Sequence, residues 1–301
     1  MAPQDAEEHY RTMTIRAVIN GLAENERLNF VLTNRIPRRA LTRFMGWFSK
    51  LEQPLIRDGS LALFKLFCTP DLAEAKKHKF RSLHDCFVRE LREGARSIDR
   101  TASVLVSPCD GIIGASGSVR DDTLLQVKGS PYALDELVRA PELVAHYRHG
   151  TYVTLRLTAG MYHRFHAPYD GRAERVVHIP GDAWNVNPAA LKRIDRLYCR
   201  NERAVLGLKL DCDERPVTLV AVAAVLVAGI RLRFLDLPGQ RSHGRPTVVP
   251  ASARFQKGDE LGWFEHGSTI LVLAPPGYRL CDKITDGGLI RMGQPLLLRP
   301  E

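Results

Sequence analysis

The sequence predicts an α+β protein in which N-terminal amphipathic helices precede a mostly antiparallel β-sandwich or barrel-like core. Apolar residues recur at helical spacing through the first hundred residues, whereas short β-branched runs separated by Gly, Pro and Asp follow residue 99. A chain of 301 residues is long enough for one large domain or two smaller ones. We therefore expect a helical region over residues 1–100 and a β-rich region over residues 101–301.

Four segments of the N-terminal region carry the helical pattern. Pro37 and Pro54 interrupt it, and Ser82 followed by Asp85 is typical of a helix N-cap with an acidic residue in the first turn. The four predicted helices are about Ala6–Leu32, Arg38–Lys50, Leu55–Phe67 and Ser82–Gly94.

The β-rich region contains one helix-like stretch, Pro131–Arg148, among its short strands. The fourteen-residue apolar run Val217–Ile230 is shorter than the roughly twenty residues of a membrane span, and its valines favour a buried strand-turn-strand unit. The predicted strands are Ser103–Val106, Gly111–Ala115, Thr123–Val127, Tyr152–Leu157, Arg172–His178, Ala204–Leu210, Val217–Arg233, Ile270–Leu273 and Pro295–Leu298.

Composition narrows the possible partners. The 43 basic against 34 acidic residues give a net charge of +9, which implies an anionic partner or surface. Nucleic acid is a poor candidate because the chain has no zinc-finger spacing, recognition-motif aromatics or dense basic tail. Six scattered cysteines without a CxxC pair argue against a metal site and a disulfide framework. No secretory or transit pattern is visible, so we expect a cytoplasmic location.

The segment Arg35–Lys50 combines cations with Trp47, Phe44 and Phe48. This composition suits a helix lying among lipid headgroups, with its aromatics inserted and its cations near anionic phosphates. By composition alone, the favoured interpretation is a helix that packs its apolar side on the sheet and exposes its charges.

Three separated segments supply a carboxylate, two imidazoles and a hydroxyl: Asp110, His163 with His166, and Ser268. A hydroxyl activated by a base that a carboxylate orients is a recurring way to attack an acyl group. Each residue also has an ordinary structural explanation, since Asp-Gly and Gly-Ser-Thr are common turn sequences and a histidine often lies hydrogen-bonded in a core.

These segments, taken in order, resemble the phosphatidylserine decarboxylase family over roughly residues 35–300. No single motif is specific, but their ordered set is. The matching segments are Phe80–Leu91, Ser107–Gly111, Leu125–Gly129, Tyr162–Pro168, Pro180–Asp182, Asn201–Arg203 and Lys257–Thr269.

The resemblance implies a self-processing enzyme whose cofactor is a pyruvoyl group made from Ser268. Cleavage between Gly267 and Ser268 would give a β chain of residues 1–267 and an α chain of residues 268–301, which stay together as a heterodimer. His166 would take the hydroxyl proton, and Asp110 would hold its imidazole in the right tautomer. Gly267 lacks a side chain and so tolerates a strained backbone.

The resemblance also implies that the enzyme converts phosphatidylserine to phosphatidylethanolamine and CO2 through a pyruvoyl Schiff base. His163 would return a proton to the α-carbon. We expect irregular backbone from His163 to His166, because an extended strand would turn the two rings to opposite faces. Lys128 and Arg164 are candidate contacts for the substrate's phosphate or carboxylate, although solvated charges explain them equally well.

A peripheral protein on the cytoplasmic face of a bacterial membrane, and a possible homodimer, fit this reading. Two departures from the family pattern are His266, where an apolar residue is usual, and the altered segment Ala223–Gly229. His266 bears on self-processing, whereas the altered segment leaves open a related pyruvoyl-dependent decarboxylase of a soluble amino acid. A catalytically inactive lipid-binding protein is disfavoured, because Asp110, His166 and Ser268 are all present.

Overall fold

The computed structural model of the chain describes residues 37–120, 122–125, 131–212, 216–224, 229–238, 245–265 and 268–300. The helix predicted over Ala6–Leu32 lies outside these residues, as do Lys128, His266 and Gly267. The fold mixes helix and strand with large antiparallel sheets, as the sequence predicts.

The longest described helices lie at the N-terminal end. α1 and α2 begin and end close to their predicted bounds, and Pro54 occupies the first turn of α2, where its missing N–H costs nothing. The helices are α1 (Arg38–Phe48), α2 (Pro54–Cys68), α3 (Leu83–Phe87), α4 (Leu134–Val138), α5 (Pro141–Val144), α6 (Pro188–Leu191) and α7 (Leu197–Arg200), with a 3₁₀ turn at Ala145–Tyr147.

The helix predicted over Ser82–Gly94 is shorter than expected. Ser82 caps it as predicted by accepting a hydrogen bond from the amide of Asp85 at 3.2 Å, but the helix ends at Phe87. Beyond it the chain pairs with residues 74–76, through the amides of Lys76 and Arg92. These long-range backbone bonds replace the helical ones.

As far as the chain is described, the strands following residue 100 include every predicted one. Within the apolar run Val217–Ile230, the residues up to Ala223 belong to β9 and Ile230 begins β10, whereas residues 225–228 lie outside the described residues. The strands are β1 (Val104–Val106), β2 (Gly111–Ser118), β3 (Thr123–Leu125), β4 (Pro131–Ala133), β5 (Thr151–Leu157), β6 (Arg164–His166), β7 (Gly171–Ile179), β8 (Arg203–Leu210), β9 (Pro216–Ala223), β10 (Ile230–Leu232), β11 (Thr247–Phe255), β12 (Glu260–Phe264), β13 (Ser268–Ala274), β14 (Arg279–Leu280), β15 (Leu289–Ile290) and β16 (Pro295–Leu298).

An eight-stranded antiparallel sheet forms the centre of the molecule, in the order β11-β7-β8-β9-β13-β5-β2-β15. β11 and β15 are its edges within the described residues, so this sheet is open and does not close into a barrel. β9 and β13 are buried along their whole length. Such strands carry apolar residues on both faces because both faces are covered.

Smaller elements cover the central sheet. On one side Leu143 packs against Gly207, and the hydroxyl of Tyr147 shares a 2.6 Å hydrogen bond with that of Thr218. Three smaller sheets, β10-β12-β6, β1-β16-β14 and β3-β4, accompany the central one. The rings of Phe165 on β6 and Phe264 on β12 pack against each other, with centroids 5.3 Å apart. These contacts build one continuous core.

The helices α2 and α3 share a second, smaller core. Phe64 and Phe87 lie 6.0 Å apart within it. The buried guanidinium of Arg89 connects this unit to the segment that follows β5, since it donates to the carbonyls of Gly160 and Met161 at 2.9 and 3.2 Å. Gly160 itself fits against the backbone of Cys68, where a side chain would collide. The helices are therefore fixed over one end of the central sheet.

Candidate active site

A cavity of about 400 Å³ lies between the N-terminal helices and the ends of three central strands. Its walls are mostly apolar, which is typical of small-molecule sites. They are formed by Met45, Phe64, Cys68, Leu83, Phe87, Arg156, Leu157, Thr158, Ala159, Asn185, Val186, Asn187, Ala224 and Ser268.

Ser268, the first residue of β13, opens onto this cavity. It is fully buried and is paired with Leu157 on one neighbouring strand and Ala223 on the other. Within the described part of the chain its Oγ has no hydrogen-bond partner. Leaving a buried hydroxyl unsatisfied costs about 1–3 kcal/mol, and such groups often mark functional sites. The hydroxyl is thus held in an apolar cavity without a structural bond to occupy it.

His163 does not line the cavity itself but contacts one of the residues that do. Its imidazole is fully buried and stacks on Phe87, with ring centroids 3.9 Å apart, and Phe87 is part of the cavity wall. The backbone carbonyl of His163 accepts a hydrogen bond from the amide of Phe264 at 3.0 Å. His163 is therefore fixed next to the end of β12, and Ser268 is the first residue of β13.

The tautomer of His166 follows from its two partners. Its Nδ1 lies 2.8 Å from the carbonyl oxygen of Gly258, and its Nε2 lies 3.0 Å from the hydroxyl of Tyr162. A carbonyl only accepts, so Nδ1 carries the proton and Nε2 is the basic atom, accepting from Tyr162. Burial lowers the pKa of His166, because desolvation penalises the charged form more than nearby groups favour it. The ring is thus a neutral base.

Asp110 does not orient His166 as the sequence led us to expect. Its carboxylate accepts from Arg96 Nε and Nη2 at 3.0 and 2.6 Å and from the amide of Met292 at 2.9 Å. Bidentate guanidinium pairs are among the strongest charge-assisted bonds, so Arg96 outcompetes a neutral imidazole for this carboxylate. Gly258 provides the orientation that was assigned to Asp110.

The expectation of irregular backbone from His163 to His166 is also wrong over most of that span. The chain is irregular as far as His163, but Arg164–His166 forms β6 and pairs with β12. In extended backbone, residues three apart point to opposite faces. This alternation accounts for the different surroundings of the two rings, Phe87 for His163 and Tyr162 for His166.

The side chain of Arg164 is buried and forms hydrogen bonds within the protein. Its buried guanidinium donates to Glu260 Oε1 and to the carbonyl of Val88, both at 2.7 Å, and lies 5.4 Å from the ring centre of Trp263. These contacts join β6 to β12 and to the segment after α3. Its place among the predicted substrate contacts stays a prediction, as does that of Lys128, which lies outside the described residues.

Sequence reasoning missed four residues that shape this site: Tyr162, Arg96, Gly258 and Phe87. Only Tyr162 gave a local signal, since it stands four residues before His166. Arg96 and Gly258 are 14 and 92 residues from their partners, so no local pattern connects them.

The helices beside the cavity expose large apolar side chains to solvent. They are Phe44 and Trp47 on α1 and Leu55, Leu63 and Phe67 on α2, and we call this set the apolar surface. Among the described residues, no helix has both the length and the apolar character needed to cross a bilayer.

Comparison with known proteins identifies the family. The family model described as phosphatidylserine decarboxylase matches residues 83–298. The chain is 32% identical over 278 residues to the phosphatidylserine decarboxylase proenzyme of Escherichia coli (strain 55989 / EAEC), covering 88% of this chain and 86% of the relative. It is 31% identical over 281 residues to the protein of that name from Citrobacter koseri, with the same coverage. The chain belongs to the phosphatidylserine decarboxylase family.

Proposed function

We propose that this protein is a phosphatidylserine decarboxylase that forms phosphatidylethanolamine and CO2 after cutting itself between Gly267 and Ser268. Family membership supports the activity, and the buried hydroxyl of Ser268, unbonded among the described residues, is the observation that carries the self-cleavage. A serine hydroxyl held for a structural purpose would normally have a partner.

The self-cleavage needs only atoms of the chain and one water. Ser268 Oγ attacks the carbonyl carbon of Gly267 and the amide nitrogen leaves, so that an ester replaces the peptide bond. Loss of the α-proton of Ser268 then expels the carboxylate of Gly267 and leaves a dehydroalanine. Water hydrolyses this group, ammonia departs and a pyruvoyl group caps the new N-terminus.

His166 is our choice for the base that takes the Ser268 proton, because its Nε2 is the basic atom and burial keeps the ring neutral. Tyr162 occupies that atom in this structure, so its hydroxyl must turn away or pass the proton on. Asp110 acts on His166 through space, where its negative charge opposes the effect of burial on the pKa.

Ser268 is the residue that would carry the pyruvoyl group, and the cavity around it fits such a small ketone. When formed, the group supplies an electron sink for the carbanion left by CO2. The apolar walls would exclude water and disfavour the substrate's carboxylate charge, which helps its loss as neutral CO2. His163 would return a proton to the α-carbon once the Phe87 ring shifts, since Phe87 lines the cavity and contacts the His163 ring, which is not part of the lining.

The two fragments would remain one protein. The α chain would begin with β13, which is hydrogen-bonded between β5 and β9, and would include β16, which pairs with β1 of the other fragment. Separating the fragments would therefore break the middle of the central sheet.

The decisive test is the state of the purified chain. We expect two fragments on a denaturing gel, a carbonyl on the fragment 268–301, and one intact chain for Ser268→Ala. His166→Ala should block cutting and Asp110→Asn should slow it, whereas His163→Ala should cut but decarboxylate slowly. An uncut wild-type chain without a reactive carbonyl would refute the proposal, and equal cutting and turnover in all three variants would refute the assigned roles.

We further propose that the apolar surface docks on an anionic lipid membrane. Five large exposed apolar side chains beside the cavity favour a lipid substrate over a soluble amino acid, whose decarboxylation requires no such surface. Vesicle binding separates these alternatives.

A further inference from the structure

A buried carboxylate stands between the helices and the proposed cleavage site. Glu265 Oε1 lies 3.6 Å from Lys50 Nζ, 3.6 Å from Arg231 Nε and 4.0 Å from His84 Nε2. These separations exceed the 2.7–3.2 Å of a hydrogen bond. Within the described residues Glu265 Oε2 is buried without a hydrogen-bond partner. The carboxylate is thus surrounded by cations without being fully bonded by them.

The cluster carries more positive than negative charge. Lys50 and Arg231 are the two basic side chains of the cluster, and neither has another ion-pair partner among the described residues. Burial lowers the pKa of His84, which leaves that ring uncharged at neutral pH. One carboxylate therefore faces two cations. Their side chains are 49% and 52% exposed, so an anion can reach both from solvent.

The cluster borders both the cavity and the apolar surface. His84 follows Leu83, a cavity residue, and Glu265 precedes Ser268 by three positions. Lys50 comes two residues after the end of α1 and three after the exposed Trp47. An anion held by Lys50 and Arg231 would therefore lie beside the end of α1, next to a carboxylate three residues before Ser268.

We propose that Lys50 and Arg231 form a clamp for the phosphodiester of the lipid headgroup, and that Glu265 is the positioning residue that holds the two cations in place. This inference rests on the proposed function and deepens it. A phosphodiester carries one negative charge and several acceptor oxygens. It therefore matches the single excess positive charge of the cluster and the N–H donors of Lys50 and Arg231. The substrate's carboxylate belongs instead in the apolar cavity, next to Ser268.

The test is the double variant Lys50→Gln/Arg231→Gln, assayed with a short-chain, monomeric phosphatidylserine. We expect KM to rise about tenfold, as for the loss of two partly exposed charge-assisted contacts, while kcat stays within about twofold. The single variant Arg231→Lys keeps the positive charge, so its affinity for the substrate should stay close to that of the wild type. Arg254→Gln is the matched control, because it removes one exposed cation on the remote strand β11.

Direct binding identifies the chemical group. The double variant should lose affinity for short-chain phosphatidylethanolamine, which keeps the phosphodiester, but not for short-chain diacylglycerol, which lacks it. Inorganic phosphate that competes with the lipid in the wild type would show that the clamp accepts phosphate from either source, whereas no competition would restrict it to the lipid headgroup.

The self-cleavage assay separates a failure of the clamp from a failure of the proposed function. Complete cutting with a carbonyl on the small fragment, in both wild type and double variant, would uphold the proposed function independently of the clamp. An unchanged KM in such fully processed material, an equal loss of affinity for diacylglycerol, or the same effect from Arg254→Gln would overturn the clamp.

Discussion

Replacing Phe44 and Trp47 by alanine should weaken membrane binding strongly. The two side chains are 49% and 60% exposed. With aromatic side chains of up to about 250 Å², they offer roughly 100 and 150 Å² to a lipid surface. At about 25 cal/mol per Å², full transfer out of water would contribute about 2.5 and 4 kcal/mol. Because headgroups are still partly wet, we take about half of the sum, or about 3 kcal/mol, which corresponds to an approximately 100-fold loss in partitioning.

The assay is co-sedimentation with vesicles that contain phosphatidylglycerol, using the processed protein and a series of lipid concentrations. Leu289→Ala is the matched control, because Leu289 is 75% exposed but lies on β15 at the edge of the central sheet. A double variant that partitions no more weakly than Leu289→Ala would refute the assignment of α1 to the membrane. Intact self-cleavage in both variants would show that each is folded.

Three other perturbations test the structure. Burial lowers the pKa of His166, and we propose its neutral ring as the base for self-cleavage. The self-cleavage rate of freshly made chain should therefore stay level as pH falls and decline only below about 6.5; an inflection above that value would contradict the proposed role. Arg96→Met leaves the Asp110 carboxylate, 12% exposed, without its guanidinium and should cost about 3 kcal/mol in urea unfolding; a cost below about 1 kcal/mol would show that the pair is unimportant. Gly262→Ala places a Cβ against the carbonyl of Arg231 and should destabilise the fold by more than about 2 kcal/mol, whereas Gly59→Ala, with open space on α2, should be neutral or stabilising; equal effects would contradict the packing.

Most of the regular structure was predictable from the sequence because its signals are local. α1, α2 and the buried strands β9 and β13 follow from apolar periodicity and from proline positions. β11 escaped notice because its exposure alternates while its residues, TVVPASARF, are largely small or polar and include a proline. Such a strand is specified by the neighbour it pairs with, here β7, rather than by its own composition.

The sequence by itself determined which chemical groups the protein has: the Ser268 hydroxyl, two imidazoles, and aromatics among cations before residue 50. Only the tertiary structure decided which groups meet. In the folded chain, Asp110 pairs with Arg96, and His166 is hydrogen-bonded to Gly258 and Tyr162. Glu265 lies next to a pair of cations. The reason is that such partners lie far apart along the chain, and several donors compete for each acceptor. The packing of helices against sheet ends settles that competition, and no local pattern records it.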